Sequence, residues 1–177
     1  MTTLSQTRRI ARPLSYLTTA TLIAYPLALL VYALSGAFDV AHLRASHDVA
    51  FPDVLPMGSW IAVYAIAIIS VALTLLILWN VRALLSLFTI GDVLSAEAAL
   101  RIRRIGTLLL VKAIYGLIAH TLTILALTWG NPPGERSLSI GVSNIDVFVF
   151  LAAGLMTVIG LAMAEAARVA DENRAFV

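Results

Sequence analysis

The chain contains no cysteine. Disulfide cross-links, thiol nucleophiles and thiolate metal sites are therefore excluded. Charge is scarce as well. Asp, Glu, Lys and Arg make up 12% of the 177 residues, against about 25% in a soluble domain. With 60% of residues hydrophobic, too little polar surface remains to cover a globule in water, so lipid is the expected solvent for much of the chain. The signatures G-x-G-x-x-G, G-x-x-x-x-G-K, H-E-x-x-H and G-x-S-x-G are missing too, and with them the commonest short markers of nucleotide, metalloprotease and hydrolase chemistry. No enzyme and no cofactor is expected.

What the chain does have is long apolar runs. A membrane-crossing helix needs about 20 mostly apolar residues, because about 30 Å of hydrocarbon is crossed at about 1.5 Å per residue. Four stretches meet this requirement, 14–34, 58–80, 105–129 and 145–167. They predict a single all-α domain, a four-transmembrane-helix bundle. The first run follows Arg8, Arg9 and Arg12 and is longer than the roughly 7–15 apolar residues of a signal-peptide core. It is expected to stay as a helix, bent at Pro26 where the ring removes a backbone donor.

Basic residues fix the expected orientation. Arg8, Arg9 and Arg12 precede the first span, Arg82, Arg101, Arg103 and Arg104 lie between the second and third, and Arg168 and Arg174 follow the fourth. On the opposite side lie only Arg44 and Arg136. The positive-inside rule then places both termini in the cytoplasm. Trp60, Trp79 and Trp129 mark span ends, where amphipathic rings favour the headgroup layer.

The segment between spans two and three carries the most local information. After Asn80 the apolar pattern of Val81, Leu84, Leu85, Leu87 and Phe88 is helical, so the second helix is expected to run on to about Ile90. Gly91 fits a C-cap. Ser95 fits the next N-cap, with Glu97 in the first turn favoured by the helix dipole. The long second and third helices would form a hairpin protruding into the cytoplasm. Arg101, Arg103 and Arg104 would rest at lipid headgroups, and Leu84, Leu87, Phe88, Val93 and Leu94 would be candidate anchors for a cytoplasmic partner protein. No aromatic interleaves with these membrane-proximal arginines, so direct nucleic-acid binding is not expected.

The run Gly91-Asp92-Val93-Leu94-Ser95, the following Arg101-Ile102-Arg103-Arg104-Ile105-Gly106 and the ending Ala164 through Glu172-Asn173, closing on Phe176-Val177, resemble the bacterial domain-of-unknown-function 2975 family of small four-helix inner-membrane proteins. The polar run Ser137–Ile140 fits its pattern. The resemblance spans residues 55–177, with the N-terminal part fitting by topology. It implies a multi-pass protein of the bacterial cytoplasmic membrane, of regulatory type, acting on a cytoplasmic helix-turn-helix transcription regulator. It implies no catalytic residues.

Inside the membrane, Lys112, His120 and Glu165 are the residues that need an explanation, since a charge at mid-bilayer costs at least about 2.5–3.5 kcal/mol on insertion scales. Lys112 is expected either to snorkel to the headgroups or to pair with Glu165 across helices three and four. His120, eight residues on, would share roughly one face with Lys112 and hydrogen-bond a neighbouring helix. An oligomeric transport module built on these three residues is the alternative to a regulator, and an accessory subunit of a larger complex is a third reading. Small residues four apart on the last helix, Gly160 with Ala164 and Ala162 with Ala166 and Ala170, allow close packing within the chain or in a homo-oligomer. In the first loop, His42 and His47 are weak metal-ligand candidates at a spacing that matches no closed motif. Ser137–Ile140 alternates as a short strand would.

Overall fold

The computed structural model describes residues 3–35, 39–46, 49–132, 134–141 and 144–175. Five helices follow one another: α1 (Thr3–Leu34), α2 (Val40–Ser46), α3 (Met57–Ile90), α4 (Ala96–Thr128) and α5 (Asn144–Ala175). No strand occurs among the described residues, and 137–140 runs extended without pairing. All but α2 are long and apolar enough to cross a membrane, which makes the chain a multi-pass membrane protein. With 34 and 33 residues, α3 and α4 are each about 50 Å long at about 1.5 Å per residue. That exceeds the roughly 30 Å hydrocarbon layer. α1 is one continuous helix through Pro13 and Pro26.

The expected bundle is an open row. Among the described residues α1 packs on α3, α3 on α4 and α4 on α5, and no other pair of the four long helices packs together. The two outer helices therefore have one neighbour each and show wide apolar faces, with Leu17, Val31, Phe148, Leu151 and Leu155 all more than 60% exposed. In water such faces would drive aggregation. In a bilayer they cost nothing, because lipid tails are as apolar as leucine.

α3 and α4 lie antiparallel in contact along their length, joined by residues 91–95. Gly91 takes φ +90°, which a side chain disfavours. The Gly91 and Asp92 amides donate to the Phe88 and Leu87 carbonyls, a Schellman ending that satisfies carbonyls left over at the helix end. Ser95 Oγ then accepts from the Ala98 amide at 3.2 Å, satisfying one of the orphan donors that begin α4. Beneath this turn Leu84, Ala98, Ile102 and Ile105 form a buried cluster, with Leu87 and Phe88 packed against it.

The α4–α5 interface is made of small residues at heptad spacing. Ala99, Gly106 and Ala113 recur every seven residues on α4, as do Ala153, Gly160 and Ala167 on α5, and all six are buried. A repeat of seven keeps one narrow stripe facing the partner helix. At its centre the backbones nearly touch. A Cβ at Gly160 would stand 2.6 Å from the Arg103 amide nitrogen, and one at Gly106 would stand 2.7 Å from the Thr157 nitrogen. Of the expected small-residue stripe, Gly160 is thus at the interface. Ala162 and Ala166 are exposed, because steps of two and six residues from Gly160 turn them by about 200° and 240° at about 100° per residue, and Ala164 is exposed as well.

At the far end from the 91–95 turn, α2 and the loop after it fold over α3 and α4. Leu43, Phe51 and Leu55 bury against Val63 and Leu127, and Arg44 ties the loop down through the Phe51 carbonyl and Asp53. Pro52 and Pro56 sit so close to Gly130 that a Cβ there would meet them at 3.3 Å.

Candidate functional site

Two regions collect the residues singled out by the sequence: the seam between α3 and α4, and the end of the row that carries the 91–95 turn.

In the seam, Lys112 reaches across to α3. Its Nζ donates to Thr74 Oγ1 at 2.5 Å and lies 3.3 Å from the Ser70 carbonyl and 3.5 Å from Ser70 Oγ. Three acceptors meet the three donors of an ammonium. One turn further on, Tyr115 donates to the Ile66 carbonyl at 2.7 Å. Lys112 therefore neither snorkels nor pairs with Glu165. Helix register explains why. Gly160 lies level with Arg103, which puts Glu165 level with about residue 98, some 20 Å along α4 from Lys112 at about 1.5 Å per residue. Glu165 instead pairs with Arg168 on its own helix at 2.5 Å, and Arg168 also holds Glu172. Ser70 and Thr74 were missed as partners, although their i, i+4 spacing puts both on one face of α3.

His120 is exposed and borders the third loop rather than the Lys112 seam. A Cβ at Gly141 would stand 3.2 Å from its Nε2, and the adjacent Thr121 donates to the Ser139 carbonyl at 3.1 Å. Eight residues at about 100° leave His120 about 80° around the helix from Lys112, enough to turn it out of the seam. Lys112, His120 and Glu165 thus do not converge within the chain.

At the turn end, the arginines divide. Arg103 and Arg104 are exposed and flank a shallow depression with Leu100, Thr107 and Leu108. Arg101 faces inward. It bonds Glu97 at 3.2 Å and Asn80 Oδ1 at 3.4 Å, because it stands about 200° around the helix from Arg103. It is thus a link between α3 and α4 rather than a headgroup contact. The candidate partner anchors also divide. Leu84 is buried, and Leu87 and Phe88 pack against its cluster, so these three hold the two helices together. Val93 is half-buried. Leu94 remains, 74% exposed, and beside it Ile90 at 67%, which the helical pattern had marked only as a helix end.

α1 joins this end of the row. Arg8 donates to the Ile90 carbonyl at 2.7 Å, and Arg82 donates to Thr19 Oγ1 at 3.1 Å while stacking over Trp79. The start of α1, the 91–95 turn and the last turns of α5 therefore share one end of the molecule. At the other end His42 accepts or shares a 2.7 Å hydrogen bond with Tyr32 Oη, and His47 lies outside the described residues. No three His, Asp or Glu side chains converge among the described residues.

Comparison with protein-family models, curated proteins and solved structures gives no match, and the family resemblance accordingly rests on the short motifs quoted above.

Proposed function

We propose that this chain is a membrane-embedded regulator or scaffold that holds a soluble cytoplasmic protein at the bacterial inner membrane, and that the turn end of the row is its docking surface. One observation carries the reading. α3 and α4 are about 20 Å longer than the hydrocarbon layer they cross, and the turn that joins them presents Ile90 and Leu94 outward. Arg8 stands at this apolar tip, and Arg103 and Arg104 are exposed on α4 about 10 Å further along the helix. By the positive-inside rule the tip then faces the cytoplasm together with both termini. The family resemblance supports a helix-turn-helix transcription regulator as the partner.

The test is purification of the tagged protein from its native membranes in mild detergent, followed by mass spectrometry of what co-elutes. Recovery of a small soluble DNA-binding protein, and its loss from an Ile90→Asp/Leu94→Asp variant that remains folded, is the expected result. Retention of that protein by the variant would remove the tip from the account. Recovery of other membrane subunits in its place would favour a second reading, an accessory subunit. That reading draws on the open row, whose α1 and α5 faces lack helix neighbours.

A further inference from the structure

Between α3 and α4, on the half of the seam away from the 91–95 turn, lies a half-open groove of about 630 Å³. That volume falls in the range of about 300–1,000 Å³ typical of ligand sites. Its walls are Ala62, Ala65 and Ile66 of α3 facing Leu122, Leu125 and Ala126 of α4. Small side chains on one wall leave the space. Large ones at 62 and 65 would fill it.

The polar features gather at one end of the groove. There α3 begins with Pro56 at its N-cap position and no side-chain cap. The amides of Ser59 and Trp60 turn back to the Pro56 carbonyl, while the first turn of the helix keeps the positive end of its dipole. Ser59 forms part of the wall, is 4% exposed, and its hydroxyl has no hydrogen-bond partner. A buried hydroxyl without a partner is costly, and a serine reaches its alternative staggered positions by rotation about one bond. Trp129 closes the same end, and the Arg136 guanidinium lies over its ring at 5.0 Å. Arg136 makes no ion pair among the described residues. The groove therefore combines an apolar slot, a helix N-terminus and an orphan hydroxyl, with a cation beside it on the Trp129 ring.

We propose that this groove binds an anionic phospholipid of the leaflet opposite the 91–95 turn. One acyl chain lies along Ala62, Ala65 and Leu122, and the charged headgroup sits between the start of α3 and Arg136. Charge decides the headgroup: the positive helix end and the guanidinium both favour a lipid with net negative charge over a zwitterionic one. The long axis of the groove follows the helices, which is also the direction of an acyl chain in a bilayer. The site is separate from the tip proposed for partner docking and does not depend on that reading.

Trp129 reports on occupancy. In a Trp60→Phe/Trp79→Phe background it is the sole tryptophan, and bromine on an acyl chain quenches indole fluorescence at contact. The protein is reconstituted into vesicles containing equal fractions of acyl-brominated phosphatidylglycerol or acyl-brominated phosphatidylcholine. The expected result is greater quenching by the anionic lipid. That excess is lost when Ala65→Phe fills the groove and reduced when Arg136→Gln removes the cation. Equal quenching by the two lipids overturns the proposal, as does an excess that survives Ala65→Phe in a protein of unchanged helical circular dichroism. If Ala65→Phe does not fold, the exposed Arg136→Gln decides: an unreduced excess overturns the anionic site.

Discussion

Substituting one methyl group at Gly160 tests the α4–α5 interface more sharply than any polar change. An added Cβ would lie 2.6 Å from the Arg103 nitrogen and 2.8 Å from its Cα, where ordinary contact is 3.4–4 Å. Both neighbours are helix backbone and have no rotamer to change, so α5 must move outward by about 1 Å. Such a shift would strip contact from Ala153 and Ala167 as well, since all three lie on one stripe. Overpacking of this kind costs about 1–3 kcal/mol, and the better helix propensity of alanine returns at most about 1 kcal/mol. The net loss expected for Gly160→Ala is about 1–2 kcal/mol, or about 5- to 30-fold in the folding equilibrium. Gly116 supplies the control, because a Cβ there meets nothing within 4 Å. Unfolding in mixed micelles of rising dodecyl sulfate fraction, followed by tryptophan fluorescence, measures both. Equal stability of Gly160→Ala and Gly116→Ala would refute the close backbone contact.

Three further outcomes follow from the geometry. Lys112→Met removes an intramembrane ammonium together with its need for acceptors, and should change stability in the same assay by less than about 1 kcal/mol; Thr74→Val removes the nearest of the three acceptors and should cost about 1–3 kcal/mol, an ordering that a dominant structural role for the charge would reverse. Gly91→Ala places a side chain at φ +90° against the Arg8 guanidinium and should lose about 1–2 kcal/mol through left-handed strain, seen as a lower dodecyl sulfate midpoint. Because the chain lacks cysteine, an Arg103→Cys/Gly160→Cys pair, whose positions meet across the interface, should cross-link on mild oxidation and a Lys112→Cys/Glu165→Cys pair should not, as read by a mobility shift on non-reducing gels.

How much of this was readable in the residues depended on range. The caps at Gly91 and Ser95 were legible because a left-handed glycine and an N-cap serine act on amides one turn away, whatever else the chain does. The four apolar helices were legible because bilayer thickness imposes a length on each. Neighbour relations were not. Lys112 and Glu165 looked like a pair because opposite charges in a membrane seek each other, yet helix register put about 20 Å between them, and Ser70 and Thr74 met the lysine instead. The apolar pattern from Val81 to Phe88 announced a helix face without saying what covered it, and α4 covers most of that face, leaving Leu94 and Ile90 outside. The stripe of Ala153, Gly160 and Ala167 was hidden among many small residues, and only its match to Ala113, Gly106 and Ala99 sets it apart.

The side of the membrane on which the tip lies decides between docking a cytoplasmic protein and any other use of that surface. Single cysteines at Leu94 and Glu135, both in otherwise cysteine-free chains, can be labelled with a membrane-impermeant maleimide in intact cells and in inverted membrane vesicles. Leu94→Cys should react only in the inverted vesicles and Glu135→Cys only in the intact cells. The opposite pattern would put the tip outside the cytoplasm and contradict the proposed function.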